Sequence, residues 1–446
     1  MKIFWFAIGL LTATTANSQT LHELLKQAEA NYPLLKAKSL EVQAGQNNIA
    51  TVKSSALPSL DAAYQVNYAT YNNITGMAMP QYFVPISGPP SPDNTSSGVF
   101  GSVGSLLLKW EPFTFGQRSS RIDLAKTGVQ YNEADARNEI FKHQVTVINT
   151  YLDVLMAHEL MKVYSKNLER SKENLRAVRT LTVSGLHPGV DTALFHGEVS
   201  RARIELLNHQ KYLETQQATL SELLASDAPG YTPDSSYFHK LPSHSGDTLA
   251  SGHPLLSLSE SKLQIRRQQQ TSIRRTLNPN LSVWATGYAR GSGIRYDGVV
   301  NSSDGLSFSR YNYGAGLQLS VPLLRFLEVR PQLRQQSALI SAEEERLSQV
   351  KLELNKQNKV ADLTFRNALE VAKESPVFYR SAEFSFRALT TRYNSGLTNY
   401  ADLIQAQYSL VKAETELKQS YLEAWKALLY KAAVQGDIAI FLNQVQ

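Results

Sequence analysis

The stretch RYNSGLTNYADLIQAQYSL occupies residues 392–410. One helical pattern stops there at a glycine, and another starts after Asn399. A partial echo, VSGLHPGVDTALFHGEVS, spans residues 183–200. Gly185 aligns with Gly396, Leu186 with Leu397 and Asp191 with Asp402, each pair 211 residues apart. A helix–glycine–helix turn used twice at this distance predicts a chain made of two similar halves.

The echo continues on the N-terminal side of both turns. NYPLL at 31–35 matches GHPLL at 252–256, and LPSL at 57–60 matches NPNL at 278–281, both 221 residues apart. Pro112 matches Pro322, and Asp227 matches Asp437 beyond the last helices, both 210 residues apart. The change of offset falls within 72–98 and 291–307, loops in which added length costs little. Each half reads as short helix, strand, loop, strand, long helix, glycine turn, helix. The expected divisions are a leader at 1–18, a first repeat at 19–228, a linker at 229–251 and a second repeat at 252–446.

A seven-residue rhythm marks the helices. Val147, Val154, Met161, Leu168 and Leu175 keep it, as do Val199, Leu206, Leu213 and Leu220. Leu333, Ile340, Leu347 and Leu354 repeat it in the second half, with Leu403, Leu410, Leu417 and Ala424. Strict heptads supercoil helices left-handedly around their neighbours. Phe141, Ile148 and Leu155 form a second stripe, so these helices have neighbours on two sides, as in a wall of helices. Residues 119–181 suffice for one helix of about 95 Å at roughly 1.5 Å per residue. The helices at 190–226 and 33–56 together reach a similar length, and 330–392, 400–436 and 254–276 repeat the plan. Pro376 is expected to interrupt the second long helix, because it lacks an amide donor and crowds the preceding turn.

Alternating segments lie between the short and long helices. In YNYGAGLQLSV, 311–321, Tyr311, Tyr313, Ala315, Leu317, Leu319 and Val321 share one face, and Asn312, Gly314, Gly316, Gln318 and Ser320 the other. Residues 60–71 place Leu60, Tyr64, Val66 and Tyr68 together; 98–108 and 281–290 are weaker examples. This period of two fits a barrel wall between lipid and water. Four strands do not close a membrane barrel, and an open sheet edge cannot face lipid, so either the sheet is not in a membrane or several chains share one barrel.

The N-terminus, MKIFWFAIGLLTATTANSQT, has a lysine, a short apolar core and small residues at Ala16 and Ser18, the pattern of a cleaved export signal. No later window is apolar for long enough to form a membrane-spanning helix. There are no cysteines, so disulfides and thiolate metal sites are excluded. The net charge is +6; its densest patch, RRQQQTSIRR at 266–275, reads as a solvated helix face, and nucleic acid is not an expected partner. His158-Glu159 and His22-Glu23 lack the second histidine of a zinc motif, and no nucleophile elbow or phosphate loop is present. No catalytic, cofactor or metal residues are assigned.

The paired turns, V-S-G-L at 183–186 and Y-N-S-G-L-T-N-Y-A-D-L-I-Q-A-Q at 393–407, together with Pro58 to Leu60 and Pro279 to Leu281, resemble the TolC family of outer-membrane efflux and secretion channels. The resemblance implies a mixed, mainly α fold. Long antiparallel coiled-coil helices form an α-barrel across the periplasm, and four strands per chain join a homotrimer's shared twelve-strand barrel in outer-membrane lipid. It implies passive export, energised by an inner-membrane transporter that is reached through a periplasmic adaptor. The tips that dock the adaptor correspond to Gly185, Leu186, Gly396 and Leu397; the periplasmic aperture corresponds to Tyr393, Asp402, Gln405 and Asp191. Gln405 and Thr398 depart from the family's carboxylate and arginine at those positions, and His187-Pro188-Gly189 makes the first turn unusual. The heptads alone also suit a soluble periplasmic coiled-coil scaffold or adaptor.

Overall fold

A computed structural model describes residues 20–70, 72, 78–79, 82–85, 93–185, 188–226, 234–243 and 252–444. The leader, Leu186, Asp227 and much of the expected linker lie outside these residues. In chain order the elements are α1 (Leu21–Asn31), α2 (Pro33–Ser54), β1 (Ser59–Thr70), β2 (Ala78–Met79), β3 (Tyr82–Pro85), β4 (Gly98–Phe113), α3 (Gln117–Val183) and α4 (Gly189–Leu224). They continue with α5 (Pro254–Arg275), β5 (Asn280–Ser292), β6 (Arg310–Ser320), α6 (Phe326–Asn394), α7 (Tyr400–Gln435) and α8 (Ala439–Leu442). Lengths recur: α2 and α5 have 22 residues each, α4 and α7 36 each, and α3 and α6 have 67 and 69. No described helix is long and apolar enough to cross a membrane.

The predicted interruption at Pro376 does not occur, because α6 runs unbroken from Phe326 to Asn394. The carbonyl that Pro376 leaves without its amide donor is that of Ala372, four residues back. The Ser375 hydroxyl donates to that oxygen at 3.2 Å, so the lost bond is replaced locally.

Contacts divide the chain into two compact units. The first comprises Met1–Gln43, Gln130–Lys262 and Glu343–Gln446. Its main core gathers Val147, Ile148, Leu152, Val154 and Leu155 of α3 against Leu220 and Leu224 of α4 and Leu428 and Ala432 of α7. Both apolar stripes of α3 are therefore buried. Tyr237 and Phe238, in a 3-10 turn within the expected linker, are buried in this core, and the Trp425 indole donates to the Tyr237 carbonyl at 3.1 Å. By contrast, α6 leaves Leu352, Leu363 and Phe384 exposed.

The second unit comprises Ala44–Val129 and Leu263–Ala342 and holds a four-stranded antiparallel sheet in the order β1-β4-β5-β6. Register pairs Leu60 with Leu108, Tyr68 with Phe100, Trp110 with Val283 and Val283 with Leu317. Cross-strand partners share a face. One face thus joins Leu60, Tyr64, Val66, Leu106, Leu108, Trp110, Val283, Leu317, Leu319, Tyr311 and Tyr313. The opposite face carries Asp61, Gln65, Lys109, Arg290, Arg310 and Gln318, with Trp284 lying over Gly314 and Gly316. A side chain at Gly316 would meet that indole at 2.9 Å, so glycine is required by packing there.

Candidate functional site

At both predicted turns the glycine has the expected backbone. Gly185 and Gly396 sit at φ 73° and 74°, the left-handed conformation that glycine adopts without a Cβ penalty, and both face open space. At the second turn the Leu397 amide donates to the Arg392 carbonyl at 2.9 Å and the Gly396 amide to the Tyr393 carbonyl at 3.0 Å, which closes α6. Asn399 then opens α7 by accepting the Asp402 amide at 2.9 Å. Leu397 is 68% exposed on this turn.

Next to the turns, α3, α4, α6 and α7 converge on a second, smaller core of Leu175, Val178, Phe195, Tyr393, Leu403 and Ile404. Tyr393 and Asp191 meet inside it: the phenol donates to the carboxylate at 2.8 Å, and both residues are buried. Phe195 lies edge-on to Tyr393 at 5.7 Å and to Tyr400 at 4.9 Å. Burial, reinforced by Asp191, pushes the Tyr393 phenol well above the ordinary tyrosine range, so it remains a donor.

The other two predicted residues lie elsewhere, on α7. Asp402 and Gln405 are exposed, in a shallow hollow that they share with Phe378, Ser381 and Ser385 of α6. Asp402 accepts from the Thr398 hydroxyl at 2.8 Å, within its own turn. The structure therefore separates the four residues into a buried interhelical pair, Tyr393–Asp191, and an exposed polar pair, Asp402 and Gln405.

The sequence reading missed a second polar cluster at this end. Glu198, one heptad beyond Asp191 on α4, is buried. It accepts from the Tyr400 hydroxyl at 3.2 Å and from the Tyr408 hydroxyl at 2.5 Å, both on α7. Arg201 donates to Tyr408 and lies over its ring at 5.5 Å. Burial and Glu198 push the Tyr400 phenol up to about 12. The available signal was the seven-residue spacing of two carboxylates on one helix facing tyrosines on another. No such pairing between distant segments is evident from either segment alone. Among the described residues no cluster of histidine and carboxylate side chains is arranged to hold a metal ion.

The outer membrane efflux protein family model matches residues 24–226 and 247–431. The chain is 22% identical to the outer membrane efflux protein BepC of Brucella suis biovar 1 over 424 residues, covering 92% of this chain and 84% of that one. It is 21% identical to the proteases secretion protein PrtF of Dickeya chrysanthemi, covering 96% and 91%. Its fold matches the crystal structure of the Campylobacter jejuni CmeC outer membrane channel with a TM-score of 0.74 and 14% identity, covering 93% and 85%. The chain belongs to the outer membrane efflux protein family, and is an exit duct of the outer membrane rather than an enzyme.

Proposed function

We propose that three copies of this chain pool their sheets into one closed twelve-strand barrel in the outer membrane, with their long helices forming an α-barrel in the periplasm. Substrates then pass passively from an inner-membrane transporter, reached through a periplasmic adaptor, to the outside. The sheet carries this reading: β1 and β6 are its edges, and among the described residues neither outer edge is paired. One face of the sheet is mainly apolar and free of charged residues at its paired positions and the other holds the charges, which suits lipid outside and water inside. Edge amides exposed to lipid cost several kcal/mol each, whereas pairing β6 of one copy with β1 of the next removes both edges. The exposed apolar residues of α6 give neighbouring copies a surface to pack on. The matching helix lengths support the two-fold internal repeat.

At the helix tips, the reading assigns adaptor docking to Gly185, Leu186, Gly396 and Leu397. The aperture is assigned to Tyr393 and Asp191 as the holding pair and to Asp402 and Gln405 as lining groups. A ring of three Asp402 carboxylates attracts cations into the aperture. Fractionation of cells expressing the protein tests the proposal. A heat-sensitive trimer in the outer membrane is the expected result; a monomer in the periplasmic extract overturns it and leaves the soluble scaffold. A second test uses Leu397→Asp, which is expected to reduce crosslinking to the adaptor while the trimer persists.

A further inference from the structure

The Glu198 cluster adjoins the small core that holds the Tyr393–Asp191 pair and is built more heavily. A single carboxylate takes two phenol donors, from Tyr400 and Tyr408, and a guanidinium stands beside it. The two donors are eight residues apart on α7, about two turns, so they bracket the carboxylate from both sides along the helix. Both bonds cross from α7 to α4. By comparison, the Asp402 carboxylate accepts from Thr398 in its own turn, a bond that leaves α7 no better tied to another helix.

A buried carboxylate loses its hydration and tolerates this only when charge-assisted bonds replace it. If α7 moves away from α4, Glu198 loses both phenols at once. Arg201, on α4 itself, stays with Glu198 either way, but both interhelical bonds are made in the arrangement seen here and lost in one with the helices apart, which is the property of a two-state tie rather than of passive filler.

We propose that Glu198, with Tyr400, Tyr408 and Arg201, is a second latch that holds α7 against α4 and keeps the aperture narrow, acting in addition to Tyr393–Asp191. These are positioning residues: Glu198 is buried and its bonds run between helices, so the cluster acts by holding α7 rather than by contacting what passes. The inference rests on the assignment of this end of the helices as the aperture.

Time-averaged conductance in planar bilayers tests it, with purified trimers of wild type, Tyr393→Phe, and the Tyr400→Phe/Tyr408→Phe double variant. Phenylalanine keeps ring and volume and removes only the donor. Loss of one bond to a charged acceptor is expected to raise the open fraction about ten-fold, and loss of both phenols further. Glu198→Gln retains an acceptor oxygen without the charge and is expected to give a smaller rise. It also serves as the test if the double variant fails to assemble. If Tyr393→Phe opens the channel while the double variant and Glu198→Gln conduct like wild type, the latch is overturned and the aperture assignment stands. If none of the variants changes conductance, the aperture assignment itself fails. Lower thermal stability of the double variant with unchanged conductance marks a packing role only and also overturns the latch.

Discussion

Gly396 shows how little a single residue needs from its neighbours to be decisive. Its φ of 74° is left-handed and nothing lies within 4 Å of a Cβ placed on it, so only backbone strain opposes a side chain. Gly396→Ala is expected to cost about 1–2 kcal/mol, read as a lower thermal midpoint. Asp402 is different, because its exposed carboxylate has a local role at the α7 N-terminus and a proposed one in the passage. Asp402→Ala should cost about 0.3–1 kcal/mol in stability and reduce cation block in planar bilayers; unaltered currents over a range of salts would count against pore lining. His143 brings pH into the fold. It stacks on Tyr32 at 4.0 Å, and its Nε2 lies 3.1 Å from the Leu223 carbonyl. Burial, only partly offset by that carbonyl and by Glu29, lowers its pKa below the ordinary 6.5. The folded state favours the neutral ring, so this stability is complete above pH 6.5 and is lost as pH falls through the lowered folded value. A thermal midpoint that is flat above pH 6.5 and declines below it is expected. His143→Phe should remove part of the decline; His158, His209 and His253 shift in the same direction and contribute to the rest.

Among the elements, α6 is the one whose continuity was misjudged from sequence. Proline chemistry predicts a break at Pro376, yet a hydroxyl one residue earlier caps the orphaned Ala372 carbonyl. Ser375 also accepts from Ser420 of α7 at 2.7 Å, so the repair is shared with the neighbouring helix. Ser375→Ala is expected to cost about 1 kcal/mol by thermal melting, and less in a Pro376→Ala background, where the backbone amide is restored. Equal losses in both backgrounds would show that the hydroxyl does not serve that carbonyl. The long helices also show why heptads locate contacts without ranking them. Val147 and Val154 of α3 are fully buried, while Leu333, Ile340 and Leu347 of α6, in the same rhythm, are only half-buried in the single chain.

For the whole molecule, the sheet makes the sharpest demand. Leu317 and Gln318 are adjacent on β6 and point to opposite faces. If the apolar face meets lipid as proposed, Leu317→Arg is expected to cost about 2–4 kcal/mol and to lower the amount of the protein in the outer membrane. Gln318→Arg, on the polar face, should leave assembly intact and alter ion selectivity instead. Equal tolerance of both would show that the apolar face does not meet lipid.

Turn residues, heptads and alternation depend on neighbours close in the chain, and for that reason α2 to α7 and the four strands of the sheet were readable from sequence to within a few residues, while α1, too short to set a repeating rhythm, was not expected. Gly185 and Gly396 fall at left-handed turns, and Tyr311 and Leu317 share a face, because φ preference and the period of two are local properties. Pairing across long separations is not local. Only the tertiary structure buried Tyr393 against Asp191 while leaving Asp402 exposed, and brought Tyr400 and Tyr408 to Glu198. Which face of a helix is covered depends on the helices packed beside it, and a segment's own residues do not carry that information.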